Sequence, residues 1–345
     1  MLPLLLLRAA GWITYMAKSP MEMNYDELNT LLDSLLAAEH LPSFIPYQDT
    51  HIHYRRQQRL RMLLKAVYRL FQAQSFYMKN VKKQLQQLKS TGEIYDVLKK
   101  NRCLKSQRTY FYLSKIGLSD LARQVGGRFN NELFANFNLA TMLYDASFDV
   151  VQCRKYLKEF DASFMEEKRI ESSDCYLMLF QNCVDTIEKT LSPVEIQTFN
   201  TYVKIEHISQ LMSIYQISGE KVSKEDLMKI TYAKGGMSAL VLMHLMAPTM
   251  NQKQRKAIYE LGAVMQLIDD ISDIKEDLKI GIRTLPNQKL LTFDELKSLY
   301  FGTVNNLMKT CEMDPNRPNE TLDMLCWFDD LMLKRRYRSF QQNLQ

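Results

Sequence analysis

The sequence predicts an all-α protein, and three observations carry that prediction. The 345 residues include only 11 glycines and 9 prolines, while Leu, Lys, Gln and Met are abundant. Apolar residues recur at intervals of three and four through most of the chain, which is the period of an amphipathic helix. No run of regularly spaced β-branched residues bounded by turns occurs, so no sheet is expected. A chain of this length buries a substantial core. With no internal repeat and no linker, the expectation is one helical domain over residues 111–345, preceded by a helical extension of unknown role over 1–110.

The first 50 residues are irregular, punctuated by Pro20, Pro42 and Pro46, with one helix expected over 24–38 and Asn24 as its cap. The run 1–10 is apolar but lacks a basic lead and is interrupted by Arg8. It is too short to span a bilayer and makes a poor signal peptide; Met16 and Met21 are also candidate starts. From 52 to 98 the pattern is long and helical, with Leu60, Leu63, Leu64, Val67, Leu70 and Phe71 at helical spacing and Thr91-Gly92 as the break. A helix over 107–125 ends at Gly126-Gly127. A long helix is expected over 129–160, with Phe134, Phe137, Leu139, Met142, Leu143, Phe148 and Val151 as core contacts.

Further helices are expected over 173–190 and 193–217, the second opened by Ser192-Pro193. Ser223 and Asp226 make a capping box for a helix that runs through Tyr232-Ala233-Lys234-Gly235-Gly236 to Met246. A glycine pair inside an apolar helix costs about 2 kcal/mol against alanine, so it marks a kink or a close backbone approach. A helix over 252–278 ends near Gly281. The tail holds helices over 292–311 and 320–340 around a Pro-containing loop.

The net charge of +6 is mild, and much of it lies in 55–61, 79–108 and 334–338. Solvated helix faces account for these clusters, and no nucleic-acid partner is expected. Peripheral membrane association is compatible with them, and basic charge favours an anionic substrate. Cys103, Cys153, Cys175, Cys183, Cys311 and Cys326 show no CxxC or zinc spacing. They read as small core residues in a reducing, cytoplasmic compartment. His207 and His244 lie on apolar helices and are expected to be satisfied core histidines, with no third ligand for zinc.

The chemistry concentrates in residues 262–277. Asp269, Asp273 and Asp277 are spaced i, i+4, i+8, which places them on one helix face. Leu261, Val264, Met265, Leu267 and Ile268 lead into them and should bury the helix. A buried column of carboxylates needs cations, and oxygen-only ligands suit Mg²⁺, which keeps waters and bridges to phosphates. A charged helix end is the plainer account, but acids at a C-terminal turn oppose the helix dipole. Arg283, just beyond in Gly281-Ile282-Arg283-Thr284-Leu285-Pro286, is placed to reach a diphosphate. A second pair, Asp145 and Asp149 in Tyr144-Asp145-Ala146-Ser147-Phe148-Asp149, shares a face at i, i+4. Taken alone, a solvent-facing stripe explains that pair better.

Together the two motifs resemble the class I isoprenoid synthases. Gly262, Gln266, Asp269, Asp273, Glu276, Asp277, Gly281, Arg283 and Pro286 fall as in the second metal motif of squalene and phytoene synthases, and Asp145-x-x-x-Asp149 as in their first. Asp269, Asp273 and Asp277 are also similar to the metal triad of terpene cyclases, and Gln266-x-x-Asp269-Asp270-x-x-Asp273 to the second motif of elongating prenyl transferases. Ser272 stands where squalene synthases carry Arg, and the chain has no first DDxxD.

The resemblance implies an all-α bundle around a central apolar cavity. It implies up to three Mg²⁺ held by Asp145, Asp149, Asp269, Asp270, Asp273 and Asp277. Lys234, Arg283, Arg336 and Tyr337 would bind the diphosphate. Tyr144 and Tyr232 are candidate bases. Phe137, Leu139, Phe148, Met237 and Met265 would line the pocket with Tyr144, the rings stabilising a cation. The implied activity is that of an isoprenoid-biosynthesis enzyme, a terpene synthase that ionises a prenyl diphosphate substrate and cyclises it as a lyase. One alternative is a transferase that joins two prenyl diphosphates head to head; another is a non-catalytic helical interaction protein. A homodimer is compatible with all three.

Overall fold

The computed structural model describes residues 19–45, 59–90, 93–217 and 222–312. Among the described residues there is no strand, and the chain is all-α. The helices are α1 (Tyr25–Ala38), α2 (Arg59–Phe76), α3 (Lys82–Ser90), α4 (Glu93–Lys100), α5 (Cys103–Gln124), α6 (Asn131–Asp149), α7 (Leu157–Glu166), α8 (Cys175–Glu188), α9 (Pro193–Ser213), α10 (Lys224–Met246), α11 (Gln252–Ile280) and α12 (Phe293–Thr310). Residues 1–18, 46–58 and the expected helix over 320–340 lie outside the described residues, as do Arg336 and Tyr337.

Local chemistry explains most of the starts. Asn24 with Glu27, Ser192 with Glu195, Ser223 with Asp226, Asn251 with Gln254 and Thr292 with Glu295 each form a reciprocal capping box. At the other end of α11, Gly281 takes φ 79°, the left-handed turn that closes a helix and favours glycine.

Two expected helices are interrupted. The 52–98 pattern carries a π-turn at Tyr77–Val81 between α2 and α3. The single helix expected over 129–160 stops at Asp149, where Val150 is extended (φ −112°, ψ 113°). A 3-10 segment, Val151–Tyr156, leads from there into α7. The β-branched pair Val150-Val151 weakens the helix locally. The turn then buries Cys153 and stacks Tyr156 on Tyr176 with ring centroids 4.3 Å apart, so tertiary packing overrides the helical pattern.

The closest helix pair is α10 with α11. A Cβ on Gly235 would lie 2.5 Å from the Gly262 carbonyl oxygen, and a Cβ on Gly262 would overlap the Gly235 backbone. Because α10 runs unbroken through Gly235-Gly236, the glycine pair marks close approach and no kink. The contacts of Gly235 with Gly262 and of Gly236 with Tyr259 run in opposite sequence order, so the two helices are antiparallel. One continuous set of buried apolar residues joins α1 to α12.

Candidate active site

Where the charges lie, four core helices are largely buried and leave a limited set of residues within reach of water. On α6 they include Phe137, Thr141, Asp145 and Phe148, with the exposed Asp149. Around the middle of α10 they are Lys234, Ser238 and Ala239; on α11 they include Met265, Gln266, Asp270 and Asp277 with the exposed Asp269 and Asp273. Deep on α9 they include Glu206. Half-buried charges on core helices either meet one another or cost several kcal/mol each. Here they lie within electrostatic reach of one another, across the ground between α6, α9, α10 and α11. The Ser238 hydroxyl donates to Glu206 Oε1 at 2.7 Å. The Gln266 amide donates to Asp270 Oδ1 at 3.1 Å, and Thr231 Oγ1 lies 3.4 Å from Asp270 Oδ2.

Lys234 stands at the centre of this field. Burial alone would push its ammonium pKa down, but Asp145, Asp149, Asp270 and Glu206 together outweigh burial and raise it. The carboxylates respond to the same enclosure. Burial, with Asp149 and Asp269 adding repulsion against the pull of Lys234, raises Asp145 to about 7. Burial raises Asp270 to about 7 against the Gln266 hydrogen bond and Lys234, with Asp269 and Asp277 adding to the rise. Asp149 is raised by burial against Lys234 and Arg154, although it opens to solvent at the cleft mouth. Glu206 is raised to about 8 by burial, opposed by Ser238 and Lys234.

These charges influence one another without touching. Among the described residues Lys234 makes no ion pair or hydrogen bond, and Asp145 and Asp149 accept no hydrogen bond. Glu206 Oε2 is buried without a partner. Enclosed ionisable groups that stop short of contact leave room for a ligand carrying both charges.

The donor set fits Mg²⁺. It is oxygen only, its charge is unbalanced, and it comes from α6, α9 and α11. Among the described residues no three His, Cys, Asp or Glu side chains converge on one metal position. A cation that keeps its waters and takes substrate phosphate oxygens needs only one or two carboxylates.

The remaining expected residues are distributed unevenly. Asp270 is half-buried and feels Lys234, Asp269 and Asp277, while Asp269 and Asp273 are exposed on the same helix. Arg283 is anchored behind the end of α11. Its backbone N–H donates to the Gln216 carbonyl at 3.0 Å, and the Gln216 amide donates to its carbonyl at 3.1 Å. Tyr232 is fully enclosed in the core, as are Leu139 and Met237, which were expected to line the pocket. Phe137, Phe148 and Met265 are half-buried on the helices that carry the charges.

Tyr144 belongs to a buried chain. Its hydroxyl is 2.8 Å from His207 Nδ1, and His207 Nε2 is 2.8 Å from Asp161 Oδ1. The Ser19 hydroxyl donates to Asp161 Oδ2. With Asp161 accepting on both oxygens, Nε2 carries the imidazole proton and Nδ1 accepts from Tyr144. His207 is thus a satisfied core histidine, as is His244, which bonds the Glu195 carbonyl at 2.8 Å.

Glu206 and Ser238 are the cleft residues that sequence reasoning missed. The available signal was a lone acid inside the apolar stretch Ile205-Glu206-His207-Ile208. Comparison of the chain with known protein families, with curated proteins and with solved structures found no match.

Proposed function

We propose that this cleft ionises a prenyl diphosphate with Mg²⁺ and directs the resulting carbocation, most simply by cyclisation, as a class I isoprenoid synthase. The observation that supports this reading is the enclosed lysine among four carboxylates on three helices, with no ion pair among the described residues closing the gap. A diphosphate with divalent cations is a ligand that satisfies both sets at once: the cations the carboxylates, the phosphate oxygens Lys234.

In this reading Asp145 and Asp149 hold metal from one wall, and Asp269 and Asp270 from the other. Bound there, Mg²⁺ neutralises charge developing on the departing diphosphate. Lys234 presents an ammonium to the same oxygens, at the point where negative charge grows. Phe137, Phe148 and Met265 offer the carbocation apolar and aromatic surface. Close packing of α10 on α11 fixes Lys234 relative to Asp270, and such preorganisation gives electrostatic stabilisation its value. Tyr144 is held by His207 and Asp161 behind the first Asp pair, where its hydroxyl is oriented and kept from water.

The pairing of Asp145 with Asp149 also favours a second reading, head-to-head condensation of two prenyl diphosphates. Incubation with farnesyl and geranylgeranyl diphosphate, followed by diphosphate assay and gas chromatography, tests both. The expected result is Mg²⁺-dependent diphosphate release, reduced about 100-fold or more by Asp145→Asn or Asp270→Asn. A product with the substrate's carbon number identifies a cyclase; a doubled number identifies a condensing enzyme. Pure folded protein that releases no diphosphate from either substrate overturns both and leaves a non-catalytic helical interaction protein.

A further inference from the structure

Charge is divided sharply along this chain. From residue 59 to residue 115 there are fourteen Lys and Arg against two acids, Glu93 and Asp96, a net charge of +12. The whole chain carries +6, so all other residues together carry −6. The basic segment is the layer α2–α5, packed against the outside of α6.

Its inner side is fully used. Ala73, Tyr77, Val81, Leu85 and Leu88 are buried. The Tyr77 hydroxyl donates to Gln107 at 2.9 Å, and the Gln84 amide donates to Asn136 on α6 at 3.2 Å. Its outer side is apolar as well as basic. Tyr68 and Phe71 are 64% and 67% exposed, and Val67, Leu70 and Met78 are 40–47% exposed. Val67, Phe71 and Met78 follow one another at four and seven residues, one stripe of a helix, and Lys82 continues it. Lys79 and Lys83 flank the stripe; these three lysines are exposed and make no ion pair among the described residues. Single exposed apolar side chains are ordinary; five within twelve residues form a patch that marks a contact surface.

We propose that this outer face of α2 and α3 docks on an anionic lipid bilayer. A bilayer surface accepts both halves of the face, apolar side chains in the acyl boundary and Lys and Arg at the headgroups. A nucleic acid would take the lysines, and its bases could stack on Tyr68 and Phe71. A phosphate backbone offers nothing to Val67, Leu70 and Met78. No helix among the described residues is long and apolar enough to cross a membrane, so the contact lies in the plane of the surface. The inference stands independently of the proposed reaction.

Sedimentation of the full chain with vesicles of phosphatidylcholine alone, or of phosphatidylcholine with phosphatidylglycerol, tests it. Binding is expected to the anionic vesicles only and to weaken as salt rises. The double substitution Tyr68→Ser with Phe71→Ser should weaken binding about tenfold or more. Lys82→Glu with Lys83→Glu should do the same while flattening the salt dependence. All four positions are exposed, so thermal melts should match the parent. The inference is overturned by an absence of binding to anionic vesicles, by equal binding to neutral ones, or by both variants binding as the parent does. It is equally overturned if the face binds single-stranded RNA and not vesicles, or mediates a dimer that both substitutions abolish without any vesicle binding.

Discussion

The basic layer α2–α5 and the cleft between α6, α10 and α11 are built from the same kind of helix, yet they dispose of charge in opposite ways. In the layer, Lys79, Lys82 and Lys83 are exposed and make no ion pair among the described residues, and water solvates them at little cost. In the cleft, Asp145, Asp270, Glu206 and Lys234 are held inward, close enough to shift one another's titration but not to pair. Loss of any one of these three lysine charges should leave the fold unchanged. The cleft is poised, because each of its charges depends on the others. Exposed charge therefore speaks to what surface the protein meets, and enclosed unpaired charge to what it binds.

The largest effect that sharpens this contrast is expected from Lys234→Met. The side chain has similar length, so packing is kept while the cation that acts on Asp145, Glu206 and Asp270 is lost. Removing one partner from an enclosed charge group costs about 3 kcal/mol, visible in urea unfolding at neutral pH and smaller in acid, where the carboxylates are protonated. Diphosphate release should fall about 100-fold or more. A variant as stable and as active as the parent would place Lys234 outside the working field. Equivalent single changes in the basic layer fall within about 0.5 kcal/mol.

Next comes Gly235→Ala. The added methyl would sit 2.5 Å from the Gly262 carbonyl oxygen, which is backbone and has little freedom to move. Overpacking of this kind costs about 1–3 kcal/mol, measurable by thermal melts. Because it pushes α10 from α11, it should also displace Lys234 from Asp270 and lower turnover by more than the stability loss explains. An unchanged melting temperature would mean that the two helices separate without cost.

These same elements show how far sequence reaches. The all-α class and the Ser223–Asp226 capping box follow from short-range pattern, because cap and period are local; the glycine pair signals either a kink or a close approach, and the contact with Gly262 decides between them. The two aspartate motifs were visible for the same reason. The break after Asp149 was not, since Val150-Val151 continues an apolar helical pattern and the stacking of Tyr156 on Tyr176 decides it. Nor was the Tyr144–His207–Asp161 chain, whose partners are 63 and 46 residues apart. Spacing singles out the Asp269-Asp273-Asp277 column, and the resemblance adds Asp270 to the implied metal ligands. Only the positions of Gln266 and Thr231 show that Asp270 turns inward.

The smallest effect is a pH dependence that the enclosed charges should show and the exposed lysines should not. In an unfolded chain Asp and Glu titrate near 4, whereas folded Asp145 and Asp270 are raised to about 7 and Glu206 to about 8. The folded protein therefore binds more protons than the unfolded one between these limits. Stability contributed by these groups is fully present below about pH 4 and is lost as pH rises through 7 and 8. His244, whose pKa is lowered by burial against the Glu195 carbonyl bond, acts in the opposite sense, gaining stability as pH rises to its unfolded value near 6.5. The informative window is thus about pH 6.5 to 8.5, where the melting temperature of metal-free protein should fall by about 5 °C. Asp145→Asn combined with Glu206→Gln should flatten that fall, and Mg²⁺ with diphosphate should offset it most at the alkaline end. Lys82→Glu in the basic layer should leave the slope unchanged; if it alters the slope as much as the cleft pair does, the two regions are not electrostatically distinct.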